Sequence, residues 1–332
     1  MQKVGRNTPV RHRRVTVRVV ISGGTGFIGR SLVMALTERG DDVVVLSRQS
    51  REARGCGLGP RPACFRGSGK VELTTWTPDE AGPWARVVDG ADAIVHLAGA
   101  AVIDEAWTPE RREELRSSRI RSTELLAEAM ARAVKKPRVF ISGSAVGYYG
   151  TSTEDRILTE DDPPGDDFLA RLCRDWEAAA APALAAGVRV CHPRMGLVLG
   201  RRGGTLAKMV PAFKAYLGGP VGTGAQYMGW VHQVDAVRAL EHALDTDLSG
   251  PFNVTAPEPV TNDTFSHVLG DALGRPAVVR VPAFALKLAL GDRAEAVLTG
   301  QRAIPRRLDQ TGFAFVFPEL VSALADLVGG AK

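Results

Sequence analysis

Residues 17–47 read VRVVISGGTGFIGRSLVMALTERGDDVVVLS and decide the fold of this chain. The β-branched run that ends at Ile21 predicts a strand buried on both faces, and residues 42–47 predict a second one. Between them, a glycine-rich turn leads into a helical pattern that Gly40 ends. A strand, a glycine turn, a helix and a second strand within about 30 residues predict a βαβ unit.

The turn of this unit carries glycines at the spacing of a dinucleotide-binding site. Small residues let the backbone approach a pyrophosphate, and the free N–H groups and dipole of the helix N-terminus stabilise its charge. The alternative is a glycine turn that only joins a strand to a helix. We predict cofactor contacts from the turn and the start of the helix: Gly23, Thr25, Gly26, Phe27, Ile28 and Gly29.

The end of the second strand indicates which dinucleotide binds. NAD-dependent enzymes usually place a carboxylate there for the ribose hydroxyls. This chain has Ser47 and Arg48 instead, and residues 43–49 contain no acid. An arginine suits a 2′-phosphate, and Arg30, directly after the last glycine, is a second candidate donor. We therefore predict NADP(H); the alternative is that Arg48 only opens a basic surface loop.

The rest of the chain continues the alternation of strands and helices. Further strands are expected near 71–76, 92–97, 138–145, 188–200 and 252–257, and longer helices at 109–134 and 166–186. This alternation predicts an α/β fold, namely a Rossmann-type doubly wound parallel sheet with a smaller C-terminal substrate or lid region.

Changes in local composition along the sequence also predict how the chain is divided. Residues 49–70 are rich in Gly, Pro and Arg without periodicity, which predicts a surface insertion. The predicted parts are a basic disordered tail at 1–15, an NADP-binding domain at 16–200 that also takes in about 230–256, and a smaller substrate-binding region at 201–229 and 257–330.

The charge of this 332-residue chain is unevenly distributed. The net charge is +5, yet residues 1–18 alone hold six lysines and arginines and no acid. Residues 48–70 hold six more against one glutamate, so the remainder is net acidic. The basic tail has no interleaved aromatic residues and no helical stripe. We therefore expect no nucleic acid as a partner, and a small-molecule substrate instead.

Composition argues against several other classes of protein. The four cysteines lie far apart, with no CxxC pair and no histidine at metal-ligand spacing, so no metal is expected. Apolar runs fall short of the about 18 residues that a membrane helix needs, so no membrane partner is expected. The N-terminus lacks the apolar core of a secretory signal. We expect a cytoplasmic protein that is a monomer or a homodimer.

Further motifs carry a family resemblance. They are VHLAG at 95–99, SRIRST at 118–123, SGSAVGYYG at 142–150, CRDWEAAA at 173–180, PRMGLVLGRRGG at 193–204, GWVHQVD at 229–235 and GQRAIPRRL at 300–308. Together with the glycine spacing, they resemble the extended short-chain dehydrogenase/reductase superfamily. The closer resemblance, over about residues 17–328, is to its atypical NAD(P)-dependent epimerase/dehydratase-like group, which has a C-terminal domain of unknown function. It implies further cofactor contacts from Leu97, Ala98, Gly99, Arg119 and Ser142.

The resemblance also implies a catalytic Ser, Tyr and Lys. In the superfamily the tyrosine is a general acid/base, and a lysine four residues later acidifies it. Ser144 matches the serine, but the aligned positions of the pair are Leu169 and Cys173, on a helix without tyrosine or lysine. We therefore predict Ser144 with Tyr148 or Tyr149 as the catalytic candidates. The alternative is that the two tyrosines only pack under a loop.

Arg194 and His232 are the candidates for substrate contact. Arg194 lies at the carboxyl end of a predicted strand, where doubly wound sheets bind ligands. His232 resembles a substrate-side residue of the family, and the alternative is a backbone hydrogen bond beside Asp235. Asp235 is expected to cap the following helix. His96 is expected in the core or at the cofactor's edge.

Two functions are compatible with these features. The first is an NADP(H)-dependent oxidoreductase or epimerase-like enzyme on a small polar substrate, with sugar-nucleotide-like compounds among the candidates, that lacks the usual Tyr–Lys pair. The second is a non-catalytic NADP(H)-binding regulatory or sensor protein. The missing pair favours the sensor, whereas the retained Ser144 and the pocket arginines favour the enzyme.

Overall fold

The computed structural model describes residues 16–48, 68–151 and 155–329. The predicted tail at 1–15 and most of the predicted insertion at 49–70 lie outside the described residues. In the part of the chain that is described, no helix is long and apolar enough to cross a bilayer.

Strands and helices alternate along most of the described chain. The strands are β1 (Arg18–Ser22), β2 (Asp42–Ser47), β3 (Val71–Thr75), β4 (Ala93–His96), β5 (Val139–Ser142), β6 (Ser144–Ala145), β7 (Ile157–Leu158), β8 (Arg189–Met195), β9 (Leu197–Leu199), β10 (Tyr227–Met228), β11 (Trp230–His232), β12 (Gly250–Val254), β13 (Val260–Thr261) and β14 (Arg302–Ala303). The helices are α1 (Phe27–Glu38), α2 (Pro109–Ser117), α3 (Ile120–Arg132), α4 (Phe168–Ala178), α5 (Ala181–Ala185), α6 (Gly204–Lys214), α7 (Gln233–Asp245), α8 (Asn262–Leu273), α9 (Ala283–Leu290), α10 (Glu295–Leu298), α11 (Arg306–Gln310) and α12 (Leu320–Val328).

A parallel sheet forms the centre of the molecule. Its strand order is β12–β8–β5–β4–β1–β2–β3, and the short β6 also pairs with β8. All of these pairings are parallel. The order reverses direction at β1, between β4 and β2, which is where doubly wound sheets bind dinucleotides. The predicted fold class is confirmed.

Side chains of the inner strands alternate between the two faces of the sheet. On β1, Val19 and Ile21 pack with α1 and α7, whereas Val20 packs on the opposite face with α3 and α5. All three side chains are fully buried. Because both faces are covered by helices, a strand of this sheet needs a continuous apolar run, as residues 19–21 and 43–46 provide.

Two of the predicted helices are each divided in the structure. The predicted helix at 109–134 breaks between α2 and α3, where the Ser118 hydroxyl accepts a hydrogen bond from the Ala100 N–H at 3.1 Å and the Arg119 side chain donates to the Ala100 carbonyl. The predicted helix at 166–186 divides into α4 and α5, and Pro182 lies in the first turn of α5. Contacts that are distant in sequence cause the first break, and a proline favours the second.

The predicted N-cap of α7 is wrong. This helix begins at Gln233, and its cap is His232, whose Nδ1 accepts from the Val234 N–H at 3.1 Å. Asp235 lies inside the first turn, where its carboxylate accepts from the N–H groups of Val316 and Phe317, each at 2.8 Å. Asp235 therefore fixes the chain that precedes α12 rather than the start of its own helix.

A separate apolar cluster holds the C-terminal elements together. Its largest buried side chains come from α6, β11 and α8, namely Phe213, Trp230 and Phe265, and α12 adds Leu324. The predicted division of the chain into two regions stays a prediction.

Candidate functional site

The glycine turn after β1 packs tightly against the end of β4. Gly23 has a φ of +73°, and a Cβ on it would lie 2.6 Å from backbone atoms of Leu97 and Ala98. A Cβ on Gly29 would overlap the carbonyl oxygen of Gly23. Only glycine fits either position without displacing backbone. The turn forms a bare backbone cradle at the carboxyl edge of the sheet, and such a cradle fits a dinucleotide pyrophosphate.

The N-terminus of α1 adjoins this cradle. Gly26 precedes the helix, no side chain caps it, and the first turn contains no acid. The free N–H groups of this turn, with the helix dipole, favour an anion. Thr25 belongs to the same turn, and its carbonyl accepts from Arg30 Nη2 at 3.2 Å.

The ring of Phe27 packs against a second glycine turn, at residues 200–204. A Cβ on Gly200 or Gly203 would lie 2.5 Å from ring atoms of Phe27. Gln233 Nε2 donates to the Phe27 carbonyl at 3.1 Å and so holds the same turn of α1. The ring and the carbonyl of Phe27 are therefore engaged within the protein. Its backbone N–H remains available for the predicted cofactor contact.

A cleft of about 800 Å³ opens beside the glycine turn, at the ends of β2 and β4. Doubly wound sheets bind their ligands at this edge. Predicted cofactor residues that line it are Gly23, Thr25, Gly26, Ser47, Arg48, Leu97, Ala98 and Gly99. Trp76 and Pro78 also line it and are absent from the predicted contacts. Both residues follow β3, a strand that ends at this edge of the sheet, and this position could have indicated that they line the cleft.

The end of β2 brings a cation to the cleft. Ser47 is buried, Arg48 is exposed, and both line the cleft. The acids that line it, Asp104, Glu105 and Glu114, come from the segment after β4 and from α2. Arg30 is not among the described lining residues, so its predicted contact with the cofactor stays a prediction. The strand end thus offers a guanidinium where NAD-dependent enzymes offer a carboxylate.

Farther along the same edge, Ser144 belongs to a buried polar network. Its hydroxyl donates to Glu177 Oε1 at 2.7 Å. Arg194 donates to both oxygens of that carboxylate, from Nε at 2.8 Å and from Nη2 at 3.0 Å. The Arg194 side chain is only 2% exposed. The one hydroxyl proton of Ser144 and the charge of Arg194 are therefore engaged within the protein.

The two candidate tyrosines have different surroundings. The Tyr149 hydroxyl donates to Asn253 Oδ1 at 2.7 Å and accepts from Arg194 Nη1 at 3.1 Å. Burial raises the pKa of Tyr149 to about 12. Tyr148 instead lies with its ring on the guanidinium of Arg194, 3.4 Å from centroid to Cζ. Its hydroxyl makes no hydrogen bond with any described residue, so, of the two candidates, Tyr148 is the one whose phenol is not engaged within the described structure.

Leu169 and Cys173, the positions predicted to align with the catalytic pair, lie on α4 beneath this turn. A Cβ on Gly147 would lie 3.7 Å from Leu169 Cβ and 3.9 Å from Cys173 Sγ. Burial raises the pKa of the Cys173 thiol to about 12, so it is neutral. Glu177 follows one turn later on the same face. Neither aligned position carries a group that transfers protons at neutral pH.

Arg119 and Ser142 lie behind the wall of the cleft. Arg119 Nη2 donates to the Ala100 carbonyl at 2.9 Å, and Nη1 donates to the Leu115 carbonyl at 3.2 Å. Burial lowers the pKa of Arg119. Ser142, at the end of β5, is fully buried, and its hydroxyl has no partner in the described structure. Neither residue lines the described cleft.

His232 contacts the C-terminal segment. Its ring stacks on Phe317 at 3.9 Å between centroids, and Nε2 lies 3.4 Å from Asp326 Oδ2. Burial lowers its pKa, so the ring is neutral. The hydrogen bond that His232 Nδ1 accepts from the Val234 N–H matches the alternative of a backbone hydrogen bond beside Asp235. The predicted substrate contact of His232 stays a prediction. No three His, Cys, Asp or Glu side chains of the described ranges cluster as metal ligands.

Comparisons with known proteins identify the same architecture. The NAD dependent epimerase/dehydratase family matches residues 19–255, and a domain of unknown function, DUF1731, matches residues 281–327. An epimerase family protein of Mycobacterium leprae is 41% identical over 309 residues, which are 92% of this chain and 94% of that protein.

Two solved structures are similar over almost the whole chain. The human epimerase family protein SDR39U1, crystallised with NADPH, is 35% identical with a TM-score of 0.81, covering 94% of this chain and 99% of that one. A nucleoside-diphosphate sugar epimerase from Corynebacterium glutamicum is 32% identical with a TM-score of 0.75, covering 95% of this chain and 59% of that one.

Proposed function

Because the chain belongs to the NAD-dependent epimerase/dehydratase family, we propose that it is an NADP(H)-dependent oxidoreductase or epimerase-like enzyme on a small polar substrate of the sugar-nucleotide kind. The observation that carries this proposal is the cleft where the glycine turn, the uncapped α1 and Arg48 meet. The NADPH of the human relative and the name of the corynebacterial one support the same cofactor and substrate class.

The residues around the cleft fit the phosphates and the adenosine of this cofactor. The backbone at Gly23 and Gly26 and the first N–H groups of α1 would bind the pyrophosphate. Arg48, with Ser47, would bind the 2′-phosphate through charge-assisted hydrogen bonds. Trp76 offers an apolar wall for the adenine. When bound, the nicotinamide supplies or accepts a hydride.

Tyr148 is our candidate for proton transfer. Its hydroxyl has no hydrogen-bond partner among the described residues, whereas that of Tyr149 is engaged with Asn253. Because Ser144 donates its only hydroxyl proton to Glu177, its oxygen is left to accept a hydrogen bond from a substrate hydroxyl. Ser144 would thus orient the substrate, and Tyr148 would exchange the proton.

The cofactor proposal is tested by titrating NADPH and NADH against the intrinsic fluorescence of wild type and Arg48→Ala. The variant loses a charge-assisted contact to the 2′-phosphate, so NADPH affinity should fall about tenfold while NADH affinity stays within about twofold. Arg132→Ala is the control, because that exposed arginine pairs with Glu128 near the end of α3. Tighter binding of NADH by the wild type, or an equal loss for both cofactors, would contradict the proposal.

The catalytic proposal is tested by following NADPH oxidation and NADP⁺ reduction with a panel of nucleotide sugars. Tyr148→Phe should abolish turnover on any substrate found, because it removes the free phenol. Tyr149→Phe should retain turnover, since that hydroxyl serves the internal network. Full activity in both variants would exclude the tyrosines as proton donors.

The second candidate function is an NADP(H) sensor without turnover. It is favoured by the engagement of the Ser144 and Tyr149 hydroxyls inside the fold and by the absence of tyrosine and lysine from α4. A sensor should bind NADPH and NADP⁺ with clearly different affinities and turn over no compound of the panel. Turnover on any of them would exclude it.

We also propose the predicted organisation of the chain. Residues 16–200 with about 230–256 would form the cofactor domain, and 201–229 with 257–330 the substrate region. The cytoplasm stays the predicted location. Light scattering of the whole protein would test the proposed monomer or homodimer.

A further inference from the structure

We propose that Arg119 supplies, from the residue before α3, the positive charge that relatives of this superfamily carry as a lysine on the α4 helix. We propose further that this charge has no counter-ion among residues 16–48, 68–151 and 155–329 until an anionic dinucleotide enters the cleft. The inference rests on the proposed function in one respect, namely that the cleft binds such a dinucleotide.

The Arg119 guanidinium lies directly behind the cleft wall. A Cβ on Gly99 would lie 3.0 Å from its Cζ, and its Nη2 donates to the Ala100 carbonyl at 2.9 Å. Gly99 and Ala100 both line the cleft. The guanidinium also lies over the Trp176 ring of α4, with 5.3 Å between Cζ and the ring centroid. One layer of backbone therefore separates this charge from a ligand in the cleft.

The same guanidinium adjoins the place of the missing lysine. Cys173 is the aligned position, and it lies one turn before Trp176 on α4. The Arg119 Cζ lies 5.3 Å from the centroid of the Trp176 ring, and the nearby Arg119 charge acts to lower the pKa of the Cys173 thiol, although burial raises it overall. The positive charge near the aligned position thus comes from the residue before α3 and not from α4.

The groups that face Arg119 do not neutralise it. His96 is neutral, because burial lowers its pKa to about 3. Cys173 is a neutral thiol, and Arg111 is a second cation. The hydrogen bonds of Arg119 go to two backbone carbonyls, and no carboxylate of residues 16–48, 68–151 or 155–329 pairs with it. Charges that are largely removed from water are usually paired, so a half-buried guanidinium without a carboxylate among the described residues needs another explanation.

A half-buried cation without a carboxylate partner has opposite effects on the free and the bound protein. Without ligand it costs stability, since the charge has largely left water and gained two carbonyls and a ring but no counter-ion among the described residues. With an anion beyond the wall it attracts, and the poorly screened interior strengthens that attraction. Removal of the charge should therefore weaken dinucleotide binding without lowering the stability of the free protein. If the arginine had only a structural role, its removal would lower the dinucleotide affinity and the stability of the free protein together.

The test compares Arg119→Met with Arg119→Lys. Methionine retains an unbranched apolar stem over Trp176, and lysine retains the charge. Arg132→Met is the control on the exposed end of α3. For each variant, thermal unfolding of the free protein and the NADPH dissociation constant are measured. Arg119→Met should keep or raise the unfolding temperature and weaken NADPH about tenfold, or about 1.4 kcal/mol, and Arg119→Lys should stay within about threefold of wild type.

A relocated charge makes the test sharper. In Arg119→Met combined with Cys173→Lys, the cation returns to α4, and most of the lost NADPH affinity should return with it. If a lysine is not tolerated at this buried position, the Met and Lys variants at position 119 decide alone. Arg119→Met that binds NADPH within about twofold of wild type, or that loses affinity and stability together, would overturn the inference.

The outcome also separates this inference from the proposed function. If the wild type prefers NADH, the NADP(H) proposal fails, yet the same variants titrated with NADH still decide the role of Arg119. If NADPH binds as proposed and the charge makes no difference, only the inference fails. Binding of neither dinucleotide would overturn both.

Discussion

Arg194, which is buried, and Arg119, which is half-buried, both lie at the carboxyl edge of one sheet, and their surroundings are opposite. Arg194 donates to both oxygens of Glu177 and to the Tyr149 hydroxyl. Burial alone would lower the pKa of Arg194, but the hydrogen bonds and charge of Glu177 raise it above its ordinary value. Arg119 donates to two carbonyls and to no carboxylate in the described part of the chain, and burial lowers its pKa.

The difference separates two halves of the sheet edge. Around β5, β8 and β12, the paired half, Arg194, Glu177 and Tyr149 are paired with one another and stabilise the fold. Around β1, β2 and β4, the open half, the glycine turn, the start of α1 and Arg119 retain donors and charge without acidic partners among the described residues. The same residue type can therefore be internal structure in one half and a potential ligand contact in the other, according to whether a carboxylate reaches it.

The largest expected effect tests the paired half. Arg194→Met should lower the free energy of unfolding by about 3–5 kcal/mol, because it leaves the Glu177 carboxylate buried without its partner. Urea unfolding measures this loss. Combining it with Glu177→Leu should recover part of the stability, since no unpaired charge then remains. A loss no larger than that of Arg119→Met would remove the distinction between the two arginines.

A somewhat smaller effect tests the open half. Gly29→Ala should cost about 3 kcal/mol and should abolish dinucleotide binding, because its Cβ would overlap the Gly23 carbonyl and displace the cradle. Gly147→Ala is the matched control, since a Cβ there meets neighbours only at ordinary contact distance. Unfolding and NADPH titration of both variants give the comparison. An alanine tolerated at position 29 would mean that the turn is less tightly packed than described.

The smallest expected effect is a pH dependence of the free energy of unfolding, and it comes from His96, a neighbour of Arg119. Burial lowers the pKa of His96 to about 3, whereas in the unfolded chain it is near 6.5. Between these values the unfolded chain binds the extra proton, so this contribution to stability is complete above about pH 6.5 and falls by about 1.4 kcal/mol per pH unit below it. At pH 5 the loss from this residue is about 2 kcal/mol.

His96→Gln should flatten this part of the pH profile in urea unfolding. His267→Gln is its control, because that histidine is largely exposed on α8. An unchanged slope in His96→Gln would show that other groups cause the acid sensitivity; burial also lowers the pKa of His192 and His232.

Features that depend on neighbours in sequence were predictable. The βαβ unit, its glycines and the cation after β2 all follow from residues 17–48, because periodicity and turn chemistry are local. The family resemblance is confirmed. The assignments that it implied, Ser144 as the serine and Leu169 and Cys173 as the aligned pair, stay predictions. These predictions cover the sheet and the open half of its edge.

The pairing of the polar groups was not predictable from local patterns. Arg194 and Glu177 are 17 residues apart and come from a strand and a helix, so only the packing of α4 against β8 brings them together. The surroundings of Arg119 likewise come from β4, α2 and α4. The same tertiary contacts interrupt the continuous helical pattern at Ser118 and Arg119.

Phe27 sets a condition on any attempt to transplant the nucleotide-binding unit. Residues 17–47 look self-sufficient, yet their first helical turn lodges a phenyl ring between glycines that lie far along the chain, at 200–204. A graft of the unit alone would expose that ring, and a side chain at Gly200 or Gly203 would push against the helix that is meant to receive the pyrophosphate. For protein engineering, the two glycine turns are one module that must be moved together.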